Sequence, residues 1–209
     1  MEPRVAEAQA GRRAVWFMDA AHVVFAPFLG IVWCWPRVCV KAPSGRQRLN
    51  VLAALNAMTQ ELCTVEHLTY MTAETVCALL HCVAGAHQGI PITIMLDNAR
   101  YQRCAWVQAV AQELGIELLY LPTYAPNLNL IERFWRFVKK PCLYSKYYAA
   151  STSFQQAILT CIRQAPTTHK EELEQLLTLR LQTCQDVPVM GDQQTVSIRS
   201  KKKVLSKAA

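Results

Sequence analysis

The sequence predicts an α/β domain with a mixed central sheet flanked by helices. Three observations carry that prediction. Short apolar runs recur at 14–18, 51–55, 91–96 and 116–121, each the length of a buried strand. Amphipathic helical periodicity follows the later runs, at 72–84, 103–114 and 129–140. Early strands followed by strand–helix–strand–helix is the pattern of a sheet covered on its faces by helices.

Residues 1 to 13 are polar and basic and are expected to fray. Ala14 to Met18 reads as a buried strand ending at Asp19. Residues 30 to 41, rich in Val, Ile, Trp and Cys, read as a further extended piece, and Pro43-Ser44-Gly45 as a turn. Val51 to Leu55 is expected to be a strand, with another over Glu61 to Thr69. Thr72 is placed to cap a helix running to about Ala84, with Val76, Leu79, Leu80 and Val83 inward and Gly85 and Gly89 stopping it. Pro91 to Leu96 is the clearest strand, ending at Asp97. A helix over 103–114 turns Val107, Val110 and Leu114 inward and closes at Gly115. Ile116 to Leu121 is the next strand, and the right-handed crossover rule makes it a parallel neighbour of the strand ending at Asp97. Asn129 is an expected N-cap for a helix whose Ile131, Phe134, Trp135 and Val138 form one apolar stripe. Helical pattern returns after Pro141, near 153–163 and 170–183. Residues 193–209 read as a solvated basic tail.

Composition bounds the function. The 209 residues fit one domain with a sizeable core, and 52% apolar content excludes disorder by composition. A net charge of +7 and a pI near 9.0 are compatible with a polyanionic partner without demanding one. Nine cysteines with no CxxC pair match no common zinc pattern, and the first ten residues lack a secretory apolar core. Reduced thiols in a cytoplasmic protein are the expectation. The apolar run from Val23 to Trp35 contains Pro27 and Gly30 and is too short for a spanning helix, which needs about 20 residues.

Three acids stand out. Asp19 and Asp97 close strands, and sites in open α/β sheets form outside the carboxyl ends of strands. Glu132 lies 35 positions after Asp97, on the helix that follows the next strand. Three carboxylates converging there would repel one another. Two Mg²⁺ or Mn²⁺ ions about 4 Å apart would remove that repulsion and make a phosphoryl-transfer site. Plainer readings stand beside this one. Either aspartate can be a turn or cap residue, and Glu132 can complete a capping box with Asn129 or pair with Arg136.

Phe17-Met-Asp-Ala-Ala-His22, Pro91-Ile-Thr-Ile-Met-Leu-Asp-Asn-Ala-Arg100 and Leu121-Pro-Thr-Tyr-Ala-Pro-Asn-Leu-Asn-Leu-Ile-Glu-Arg-Phe-Trp135 resemble the three catalytic blocks of bacterial insertion-sequence transposases of the mariner superfamily. The third block is the most specific, and the resemblance covers residues 14 to 148. It implies an RNase H-like fold and a DDE triad of Asp19, Asp97 and Glu132. It also implies two bound Mg²⁺ or Mn²⁺ ions, cleavage at element ends and joining of the freed 3′-hydroxyl to target DNA. Asn98 matches the Asn that follows the second Asp, either steadying that carboxylate or capping the helix. Implied partners are transposon-end and target DNA, a second copy in a synaptic dimer, and an upstream helix-turn-helix protein. Residues 149–192 then form a helical extension beyond the catalytic domain.

The resemblance has departures. Ala20 stands where many relatives have Glu, and Tyr101 and Gln102 where many have His. Asn127 and Leu130 replace Asp and Pro in the third block. Full transposases of this type carry an N-terminal helix-turn-helix region, so the chain is expected to be half of a split or frameshifted gene, or a decayed copy. Alongside the triad, Arg136, Lys139, Lys140 and Lys146, with Arg133, are expected phosphate contacts; Arg46 and Arg48 are weaker ones. His22 reads as a polar loop residue, and Trp135 as core. The rival reading is a remnant that binds DNA without catalysis; the third block disfavours another RNase H-like nuclease such as a resolvase.

Overall fold

The computed structural model describes residues 1–25, 35, 47–87, 89–122 and 128–179. Five strands, β1 (Ala14–Val24), β2 (Arg48–Asn56), β3 (Leu62–His67), β4 (Ile92–Leu96) and β5 (Ile116–Tyr120), form one mixed sheet in the order β3-β2-β1-β4-β5. β1 to β3 form an antiparallel meander, while β4 and β5 run parallel to β1. The expected parallel pairing of the strands ending near Asp97 and Leu121 is what forms. This is the mixed sheet flanked by helices of an RNase H-like α/β fold.

Alternation along the strands decides which face each side chain joins. Val15, Phe17, Ala21 and Val23 of β1, with Val51, Ala53 and Leu55 of β2 and Met95 of β4, face one core. Helices α4 (Ile131–Leu143), α5 (Ser151–Thr168) and α6 (Lys170–Leu176) cover it. Trp16, Met18, Leu52, Ala54, Ile94 and Leu96 face a second core under α2 (Ala73–Ala86) and α3 (Ala105–Glu113).

The helices follow from local chemistry. Thr72 caps α2 by accepting from the Thr75 N–H while the Thr75 hydroxyl accepts from the Thr72 N–H. Val76, Leu79, Leu80 and Val83 are fully buried, and that packing carries the helix through Gly85, where the sequence alone predicted a stop. Gly115 joins α3 to β5 at φ +66°, a conformation that glycine reaches without a Cβ penalty. α4 runs through Pro141 instead of ending there. The proline is exposed in the last turn, where its missing N–H costs one bond near a helix end.

Residues 1 to 13 do not fray. Pro3 sits in the first turn of α1 (Glu2–Gln9), where a missing N–H costs nothing. Arg4 and Arg13 then tie this segment to the sheet. Arg4 donates to Glu117 at 2.7 Å, while Arg13 bonds Glu7, Glu117 and the fully buried Thr93 hydroxyl, the last at 2.9 Å. The extended piece at 30–41, the turn at 43–45, Arg46, most of the Val23–Trp35 run and the 193–209 tail lie outside the described residues. α6 ends at Leu176, short of the expected 183, and residues from 180 on are also outside. No helix among the described residues is long and apolar enough to cross a membrane. The six described cysteines are free.

Candidate active site

β1 and β4 stop pairing at Met18↔Leu96, so Asp19 and Asp97 are the next residue on each of two adjacent parallel strands. Each is two residues past a side chain of the α4-covered core, Phe17 and Met95 respectively. Alternation therefore turns both aspartates toward the α4 side. Asp19 does not end its strand, as the sequence led one to expect. β1 continues to Val24 because Ala21 and Val23 keep filling the core and β2 pairs along it, with Asp19 opposite Ala53.

α4 brings the third acid. Ile131, Phe134, Trp135 and Val138 are all buried, as the stripe predicted, joined by Phe137 and Cys142. With that face against the sheet, Glu132 is left half-buried at the helix start. Asn129 does not cap this helix. Leu130 holds the cap position, and the buried Asn129 amide donates to the Met18 carbonyl at 3.4 Å, tying the start of α4 to β1 next to Asp19. The Glu132 N–H is met by the Asn129 backbone carbonyl at 3.2 Å, so no side-chain capping box forms.

Electrostatics shows which groups share the site. The Asp19 carboxyl is pushed up from its ordinary 3.8 to about 7, first by burial and then by the charges of Glu132 and Asp97, against a bond from the Ala20 N–H. The Trp135 indole lies close enough to favour ionised Asp19, although its Nε1 makes no hydrogen bond of ordinary geometry among the described residues. Tyr101, half-buried in the 3₁₀ turn after β4, has its phenol held up by burial and by the charges of Asp19 and Asp97. All three acids thus influence one volume beside the carboxyl end of β4, where its pairing with β1 stops at Met18↔Leu96. They do not enclose it. Among the described residues no three Asp, Glu, His or Cys side chains stand close enough together to hold a metal ion. The donor set still fits a hard divalent cation in kind, because the three groups offer carboxylate oxygens and Asp19 makes no salt bridge among the described residues.

The other expected residues divide. The Asn98 amide donates to the Leu121 carbonyl at 2.7 Å. It caps neither the 3₁₀ turn nor α3, whose cap positions are Ala99 and Cys104. Its role is to hold the turn after Asp97 to the end of β5. Arg133 is turned toward α6, donating to the Leu176 and Thr178 carbonyls at 3.4 and 2.7 Å, which removes it from an open phosphate row. Arg133, Arg136 and Lys140 line a cavity of about 450 Å³ with Glu172 and Gln175 of α6. Lys139 falls in line with Glu132 two turns along, roughly 10 Å at 1.5 Å per residue. Lys146 is exposed beyond α4. Arg48 stacks over the Tyr70 ring at 5.7 Å. His22 lies on β1, not in a loop, bonded to Asn50 at 2.8 Å. Sequence reasoning missed the roles of Trp135 and Tyr101 at the site. The i, i+3 spacing of Glu132 and Trp135 was the available signal for the first.

Comparison with known proteins bears on the fold and the family. No curated protein sequence matches the chain. The chain is similar to the Mos1 mariner paired end complex with Mn, at 11% identity and a TM-score of 0.52, covering 85% of this chain and 60% of that one. It is similar to a pre-cleavage Mos1 transpososome at 11% identity and a TM-score of 0.52, over 87% of this chain and 60% of that one. The chain therefore spans about 60% of the Mos1 chains it matches. The DDE superfamily endonuclease profile matches residues 35–155, which take in Asp97 and Glu132 but begin after Asp19. With more than half of its length matched, the chain belongs to the DDE superfamily endonucleases.

Proposed function

We propose that this chain is the catalytic part of a transposase, cutting DNA at transposon ends and joining the freed 3′-hydroxyl to target DNA. The observation that carries the reading is the coupling of three acids. Asp19 is half-buried, and desolvation followed by the charges of Glu132 and Asp97 raises its carboxyl to about 7. Mutually repelling acids, two of them half-buried and Asp97 exposed, are a cost to the metal-free fold. Between the ordinary 3.8 and about 7 the folded chain holds a proton that the unfolded chain has released, so stability falls as pH rises through that window. Such a cost is understandable where a cation is to be bound.

Asp19, Asp97 and Glu132 would hold two Mg²⁺ or Mn²⁺ ions. Bound there, the ions would activate water or a 3′-hydroxyl and stabilise the leaving oxygen. The chain's own part is positional. Asn129 fixes α4 against β1, Asn98 fixes the turn after Asp97, and the aromatic stripe of α4 keeps Glu132 at the edge of the sheet. Lys139, in line with Glu132, is placed to hold a phosphate; Arg136, Lys140 and Lys146 extend the basic surface. In this reading residues 14–148 are the catalytic unit and 149–192 brace it through α5. The protein works as a dimer in the cytoplasm, with end recognition supplied by a helix-turn-helix partner. The Mos1 structures it resembles are a paired end complex and a transpososome, which agrees with DNA ends as substrate.

The test is nicking of labelled element-end duplex by the full chain, with and without the upstream helix-turn-helix protein. Cleavage should require Mg²⁺ or Mn²⁺ and fall to background in Asp19→Asn, Asp97→Asn and Glu132→Gln. Equal cleavage by Asp97→Asn would overturn the triad. Tight duplex binding with no cleavage under any metal would make the chain a DNA-binding remnant instead.

A further inference from the structure

The cations of α4 lie on one flank of the acids. Toward β5, Arg103 packs on Tyr120, with Arg100 in the same turn and Trp106 in the first turn of the helix that follows. Tyr120 ends β5 and pairs with Leu96, one residue before Asp97. Its hydroxyl donates to the Gln102 carbonyl at 3.1 Å, and the Arg103 guanidinium lies 5.4 Å from its ring centre. The Gln108 amide donates to the Arg103 carbonyl at 3.0 Å. These contacts pin the turn carrying Arg100 and Arg103 immediately beyond Asp97. In that same turn Tyr101 lies within electrostatic reach of both Asp19 and Asp97, so the turn borders the acid site itself.

Two features of this flank are not explained by folding. Trp106, in the first turn of α3, is 53% exposed, although tryptophan usually buries most of its large apolar surface. Arg100 and Arg103 are exposed and have no carboxylate partner among the described residues; Arg103 is held instead by the Tyr120 ring, which leaves its N–H groups open. Exposed guanidinium groups in the turn that leads directly into a helix start carrying an exposed indole suit a ligand with phosphates and flat rings. A base inside a duplex has both faces covered by its neighbours, so only an unpaired base can offer a face to Trp106.

We infer that Arg100, Arg103 and Trp106 form a second nucleic-acid contact surface, which takes unpaired DNA beside the scissile position. The arginines contact its phosphates and Trp106 stacks one base. The inference rests on the DNA reading above and adds a preference which that reading lacks, for strand ends or flanks that are not base-paired.

The test is fluorescence anisotropy with the full chain, using a labelled blunt duplex and the same duplex carrying a short unpaired flank. Wild type should bind the flanked duplex about tenfold more tightly than the blunt one, as one stacked base allows. Trp106→Ala should erase that margin and Trp106→Phe keep most of it, both with blunt-duplex affinity and melting temperature unchanged. Arg103→Gln should lower the salt slope for the flanked duplex by about one. If wild type binds both duplexes equally, or Trp106→Ala keeps the margin, this surface fails while the DNA reading stands. If wild type binds neither duplex, both fail. If Trp106→Ala alters self-association and leaves DNA binding unchanged, the patch is a protein interface and the inference is wrong.

Discussion

Replacing Asn98 tests whether the turn after Asp97 is held by one hydrogen bond. The Asn98 amide donates to the Leu121 carbonyl at 2.7 Å and is half-buried. Asn98→Ala removes the donor and leaves the carbonyl to water, which should cost about 1 kcal/mol. Asn98→Asp turns a carboxylate toward the same carbonyl and adds a negative charge beside Asp97. The lost bond and the new repulsion together should cost about 2–3 kcal/mol near neutral pH. Lowering the pH until the introduced carboxyl protonates restores an O–H donor, so the gap between the two variants should close. Urea unfolding, compared by midpoint at constant m, reads all three values. The reasoning is refuted if Asn98→Ala matches wild type within about 0.3 kcal/mol, or if Asn98→Asp is no worse than Asn98→Ala at neutral pH.

Other expectations follow from particular contacts. Phe134 is 1% exposed in the core under α4, so Phe134→Ala should lose about 3–5 kcal/mol by urea titration and weaken metal binding by loosening the helix that carries Glu132. Arg13 is 14% exposed and bonds both Glu117 and buried Thr93, so Arg13→Met should cost about 1–2 kcal/mol, more than Arg4→Met at the more exposed Arg4. Glu7 is held below its ordinary value by Arg13, and Glu117 by Arg4 and Thr93 against its own burial. Their stabilisation is complete above the ordinary 4.5 and is lost as pH falls through the depressed folded values, so Arg13→Met should flatten the acid limb of the stability–pH curve. Lys139→Ala should reduce the slope of log affinity against log salt by about one for blunt duplex DNA.

The sheet was legible because its strands announce themselves twice, by β-branched runs and by the alternation that divides Val15 and Phe17 from Trp16 and Met18. The helix carrying Glu132 was legible because its apolar stripe is what fixes its orientation. Misreadings cluster where a local signal was outvoted by packing. Asp19 looked like a strand end because a charge interrupted an apolar run, yet Ala21 and Val23 keep β1 in the core. Gly85 looked like a stop, but the buried Val76, Leu79, Leu80 and Val83 carry α2 through it. Asn129 had the chemistry of an N-cap and was taken by a carbonyl 111 residues away. The order of residues 1–13 depends on Glu117 and Thr93, partners about a hundred positions distant, which no local pattern announces. Trp135 beside Asp19 has the same origin, since nothing in the chain between them states that α4 crosses β1.

Direct titration of Asp19 by carboxyl-detected NMR tests the central claim, that Asp19, Asp97 and Glu132 act on one volume. In metal-free wild type it should titrate near 7. Glu132→Gln and Asp97→Asn should each lower that value, with Glu132→Gln acting more strongly, and burial should keep it above 3.8 in both. An Asp19 that titrates near 3.8 in wild type, or that ignores both substitutions, would contradict the convergence of the three acids.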